Sequence, residues 1–90
     1  MNAHSFRIDF ADEFSHDDFK FIFSDIGNVD DVISMETTRG NACGFSYIIH
    51  MKRWTKRGEY FRNDVLEYGE VRYCYDDTGP RPLNFICNPY

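Results

Sequence analysis

Ninety residues, 42% of them hydrophobic, suffice for one core and one domain spanning residues 1–90; a chain this short buries only about 60% of the surface it exposes when unfolded. The formal charge of −5 has the wrong sign for a generic nucleic-acid-binding surface. No apolar run approaches the ~20 residues needed to span a bilayer, and no basic-then-apolar leader opens the chain, so a soluble, intracellular protein is expected.

The three cysteines, Cys43, Cys74 and Cys87, are odd in number and widely spaced, with no CxxC pair and no histidine pair beside them. A zinc site needs about four closely spaced ligands, so neither a metal nor any other cofactor is expected, and reduced thiols are the better reading. Nine Phe and six Tyr are many for this length. Most are assigned to the core, where each ring buries a large area. The charge is uneven. Nine acids face Arg7 and Lys20 between Met1 and Glu36, whereas six basic residues face Glu59 alone between Arg39 and Arg62.

Ser5 to Phe10 alternates polar and apolar residues, which predicts a half-buried strand with Phe6, Ile8 and Phe10 inward. Ser15 and Asp18 form a near capping box, and Phe14 and Phe19 stand at the positions of a hydrophobic staple. Phe19, Ile22, Phe23 and Ile26 then give a helical stripe that Gly27 is expected to stop, with Phe21 on the exposed face. Val29 to Thr37 reads as a second strand, Arg39 to Asn41 as a turn, and the aromatic and β-branched run from Gly44 to Arg53 as a central strand. Trp54 and Thr55 lead into a second helix carried by Phe61, Val65 and Tyr68 and stopped by Gly69; Gly58 and Asn63 weaken its start. Val71 to Tyr75 is the fourth strand. Asp76 to Pro80 has turn chemistry, and Leu83 to Cys87 is left as a short extra strand at the end. The order βαββαβ predicts an α+β, ferredoxin-like sandwich, a four-stranded antiparallel sheet with both helices on one face.

The stretch Ser15 to Val32, SHDDFKFIFSDIGNVDDV, resembles the first helix and second strand of the RNA-recognition-motif (RRM) family. There a capped helix ends in Phe-x-x-Phe/Ile-Gly and is followed by x-Val-x-x-Val. Gly44 to Met51 falls where that family carries its octamer motif. Ile49-His-Met-Lys-Arg-Trp54 and Arg72-Tyr-Cys-Tyr-Asp-Asp77 resemble segments of small RRM-like proteins from giant (nucleocytoplasmic large) DNA viruses, and Asn84 to Pro89 fits their closing strand more loosely. The resemblance implies an RRM-like viral protein acting in host cytoplasm, nucleus or virion. It implies a fold more than an activity.

An RRM stacks single-stranded RNA on aromatic residues of the free sheet face, so the register of the third strand matters. One register exposes Phe45 and Tyr47 on that face. The other, shifted by one residue, turns Phe45, Tyr47, Ile49 and Met51 inward and lines the free face with Ser46, Ile48 and His50. Burial favours the second, since four large side chains leave water at roughly 1.5–3 kcal/mol each. The RRM stacking position of the first strand falls on Arg7, and the first octamer position on Cys43 or Gly44.

The candidate binding residues are therefore Arg7, Ser46, Ile48 and His50 on the free face, or Phe45 and Tyr47 in the other register. A basic patch of Lys52, Arg53, Lys56, Arg57 and Arg62 beside Trp54 is the second candidate, although a solvated helix start that balances acids elsewhere in the fold is the favoured reading of it. His4, His16 and His50 are dispersed, and the Asp pairs at 17–18, 30–31 and 76–77 read as helix-start and turn residues, so no catalytic site is expected. A protein-interaction or self-associating module is the favoured reading, by the free face, Phe21 or a sheet edge. Single-stranded RNA binding is the alternative.

Overall fold

A computed structural model describes residues 4–10, 13–39, 42–75 and 83–90. The chain is α+β, with elements in the order β1 (Ser5–Phe10), α1 (His16–Ile22), β2 (Gly27–Arg39), β3 (Ala42–Trp54), α2 (Lys56–Tyr68), β4 (Val71–Tyr75) and β5 (Leu83–Pro89). The strands form one five-stranded sheet in the order β2-β3-β1-β5-β4, and each neighbouring pair is antiparallel.

The expected four-stranded sheet is thus a sheet of five. β5 is no short appendage: its seven residues separate β1 from β4, which becomes an edge strand. β5 pairs β1 through Cys87 to Pro89 on one side and β4 through Leu83 to Cys87 on the other, so the two ladders overlap at Cys87. The expected turn at 76–80 lies outside the described residues, as do Gly40 and Asn41 of the turn expected at 39–41, whose Arg39 belongs to β2.

The start of α1 follows from its capping chemistry. The Ser15 hydroxyl accepts from the Asp18 backbone N–H and the Asp18 carboxylate accepts from the Ser15 N–H, satisfying two donors that a helix start leaves without partners. The Phe14 and Phe19 rings lie 5.5 Å apart, as the staple requires. The helix is shorter than its stripe, ending at Ile22, while Phe23 and Ile26 bury their side chains from the following turn. Gly27 opens β2 instead of capping α1. A Cβ there would stand 2.0 Å from the Arg53 carbonyl oxygen, so only glycine allows the two strands to approach this closely.

α2 begins at Thr55, whose hydroxyl accepts from the Gly58 N–H and donates to the Asp25 carbonyl, while its own N–H donates to the Ile26 carbonyl. One residue therefore caps α2 and ties it to the turn after α1. Gly58, expected only to weaken the helix, is buried against that turn. Gly69 ends α2 in the left-handed region at φ 77°. Tyr68, expected in the apolar stripe, is instead 71% exposed; Phe61 and Val65 carry the packing.

The core lies between the helices and one sheet face. It is built on Phe6, Ile8, Phe19, Ile22, Phe23, Tyr47, Ile49, Met51, Phe61, Val65 and Phe85. Phe6 is edge-on to both Phe23 and Phe61, at centroid separations of 5.2 and 5.3 Å. Among the nine phenylalanines only Phe21 is exposed, as expected for the outer face of α1. Tyr73 joins β4 to this core by donating its hydroxyl to the Ile22 carbonyl at 2.7 Å, which satisfies an acceptor at the end of α1.

Candidate binding face

The third-strand register is the inward one. Tyr47, Ile49 and Met51 are buried in the core, Phe45 packs against it half-buried, and the Tyr47 hydroxyl accepts from the Phe14 N–H at 2.9 Å. Ser46, Ile48 and His50 accordingly occupy the opposite face, which among the described residues neither helix covers.

Directly paired residues share a face, so the pairings give the outer surface in rows. Asp31, His50 and Ser5 form one row; Ile33, Ile48, Arg7 and Asn88 form the next; Met35, Ser46 and Asp9 form a third. Toward β4, Ile86 stands opposite Arg72. Ile48 and Ser46 lie on this face yet are nearly closed to solvent, at 4% and 6% exposure. Ile48 has Arg7 on one side and Ile33 on the other. The accessible apolar surface comes instead from Ile33 (46%) and Met35 (54%) of β2. Sequence reasoning missed these two because the alternation in β2 is blurred, and their position follows only from pairing with Ile48 and Ser46.

Arg7 is held beside Asp9, with Nε 3.8 Å from the carboxylate and both side chains about half exposed, so its charge is partly neutralised within its own strand. The Ser5 hydroxyl and His50 Nδ1 lie 2.5 Å apart, and the His50 ring stands edge-on to Tyr90 at 6.2 Å.

The basic segment divides. Lys52, Arg53, Lys56 and Arg57 are exposed around the β3–α2 junction, whereas Arg62 is half-buried and lines a cleft with Trp54, Phe61 and Val65. Arg57 forms an exposed ion pair with Asp25 at 3.6 Å, a contact of little energetic weight. Trp54 reaches the helix side through a change of phase. Val29 pairs with Met51 but Asn28 pairs with Arg53, so Lys52 is skipped. Strict alternation from Met51 would turn Trp54 outward; the skipped residue turns it inward, with its ring 6.3 Å from those of Phe6 and Phe61. Its indole N–H is buried without a hydrogen-bond partner.

Burial raises the Cys87 thiol to about 12, and burial, with the nearby Asp25 carboxylate, raises the Tyr73 hydroxyl to about 12. Among the described residues no group of His, Cys, Asp and Glu side chains is arranged to hold a metal ion, and no helix is long and apolar enough to cross a membrane. Comparison of the chain with protein-family models, curated proteins and solved structures found no match.

Proposed function

We propose that the chain is a non-catalytic, RRM-like binding module with a ferredoxin-like arrangement that recognises protein, or a second copy of itself, through the outer sheet face and the β2 edge. One observation carries this reading: the outer face offers accessible aliphatic side chains, Ile33 and Met35, while Phe45 and Tyr47 face the core. Base stacking requires exposed rings; the exposed ring beside this face is Tyr90, against His50, not the strand-three aromatics, and the strand-one stacking position holds Arg7 beside Asp9. Exposed aliphatic residues on a sheet suit a protein surface better than a base. The short motifs in β3, β4 and β5 support the likeness to small RRM-like proteins of giant DNA viruses.

A second reading, single-stranded RNA binding, draws on the basic segment. Lys56 and Arg57 stand in the first turn of α2, where the helix dipole disfavours cations and Glu59 is the only acid. An anionic ligand would offset this placement, as Asp25 already does for Arg57. Titration of labelled single-stranded RNA pools by fluorescence anisotropy at about 20 mM and at high salt separates the two. The protein-binding reading expects no saturable binding; affinity that falls steeply with salt would overturn it.

A further inference from the structure

The direction of the β2 backbone follows from one hydrogen bond. The Met51 N–H donates to the His4 carbonyl at 2.7 Å, extending the β1–β3 register by one pair. In an antiparallel ladder successive residues direct their N–H and C=O to opposite sides, so the odd-numbered residues from 45 to 51 bond to β1 and the even-numbered ones bond to β2. Their partners Asp31, Ile33 and Met35 therefore bond inward to β3. Val32, Ser34, Glu36 and Thr38 direct their backbone groups to the open edge. The Val32 N–H agrees, since it donates to the Asp31 carboxylate at 2.8 Å instead of to β3.

This edge is guarded unevenly. The register shift around Asp30 interrupts it near the start, and Asp31 blocks one donor. From Ile33 to Thr38 it carries no proline, no lysine and no bulge, and Glu36 is its one charged side chain. A two-fold antiparallel pairing must place edge-directed residues opposite one another, which restricts the choice of register. Centring on Ile33 sets Asp30 against Glu36, and centring on Glu36 sets that acid against itself. Centring on Met35 or Val32 also avoids like charges but leaves Ile33 opposite Thr37 or Asp31, whereas centring on Ser34 avoids them and sets Ile33 of each copy against Met35 of the other.

We infer that two copies of this chain pair edge to edge through β2, antiparallel and with Ser34 at the two-fold axis, joining their sheets and covering Ile33 and Met35. The inference rests on the protein-binding reading and specifies its partner. Because each copy carries −5 charge, screening favours the pair, so association strengthens with salt, the opposite of the response expected for RNA.

Sedimentation velocity or light scattering on the 90-residue chain across concentration, at about 50 mM and about 500 mM salt, tests it. A dimer that tightens with salt is expected. Ser34→Pro removes an edge-directed N–H without touching the β3 ladder and abolishes the dimer while circular dichroism stays native. Ile33→Lys with Met35→Lys does the same from the side chains, in case the proline disturbs the strand. Asp31→Ala releases the Val32 donor and tightens the dimer about tenfold. Phe21→Ser, on the exposed face of α1 and outside the β2 strand, leaves it unchanged. A monomer at all concentrations and salts overturns the dimer, and so does a dimer that survives both the proline and the double-lysine variants. Absence of the dimer without RNA binding leaves the protein-binding reading standing, whereas RNA binding overturns that reading and the dimer stands or falls on its own sedimentation result.

Discussion

The Tyr47 hydroxyl accepts the Phe14 N–H at 2.9 Å, joining the middle of β3 to the residue that leads into α1. Tyr47 is completely buried, and its ring lies edge-on to Phe19 at 4.8 Å. An aromatic residue that would stack bases on the other face is here a structural tie. Tyr47→Phe keeps the ring but leaves a part-buried donor unsatisfied, which costs about 1–3 kcal/mol. Urea unfolding monitored by Trp54 fluorescence measures it, and the outer face should be unaffected.

The two glycines of α2 give opposite expectations from helix propensity. Alanine is favoured over glycine by about 1 kcal/mol in a helix interior, yet a Cβ at Gly58 would stand 1.7 Å from the Ile26 carbonyl oxygen. Gly58→Ala is therefore destabilising, by about 1–3 kcal/mol or more as the helix is pushed from the α1–β2 turn. At Gly69 nothing lies within 4 Å of the added atom, and only the positive φ resists it. Gly69→Ala costs about 1–2 kcal/mol. Thermal denaturation of the two variants should place Gly58→Ala at or below Gly69→Ala; a stabilised Gly58→Ala would contradict the packing.

Ile33 and Ile48 are paired on one face but differ in burial, 46% against 4% exposed. Ile48→Ala should cost about 2–4 kcal/mol although neither described helix covers it, while Ile33→Ala should change stability by about 0.5 kcal/mol or less. Chemical denaturation at low protein concentration, where self-association does not contribute, measures the difference.

Cys87 is buried and Cys74 exposed. At pH 8, iodoacetamide should alkylate Cys74 and leave Cys87 protected until the chain unfolds, as read by peptide mass mapping. The same burial makes stability pH-dependent on the alkaline side. The folded state holds the Cys87 and Tyr73 protons up to about 12, whereas the unfolded chain releases them at the ordinary values of 9.0 and 10.0. Below pH 9 these groups leave stability unchanged. Above it the unfolded state binds fewer protons, so stability falls as pH rises from 9 toward 12. Cys87→Ala should flatten the pH 9–10 part of that decline.

Local chemistry in the sequence was enough for the Ser15–Asp18 cap, the Phe14–Phe19 staple, the Gly69 stop and the exposure of Phe21, and it favoured the inward register of Phe45, Tyr47, Ile49 and Met51 while leaving the other open. Each depends on residues within a few positions of one another, or on the large free energy of burying an apolar face. Where pairing between distant segments decides, the sequence was silent. It could not place β5 between β1 and β4, because a strand's neighbour is chosen by the whole sheet. The residue skipped at Lys52, which turns Trp54 toward Phe6 and Phe61, depends on how β2 lies against β3. Ile48 is closed and Ile33 open because the sheet gives the first a strand on either side and leaves the second at its edge. That difference in tertiary neighbours, not in side-chain chemistry, moved the candidate surface from β3 to β2.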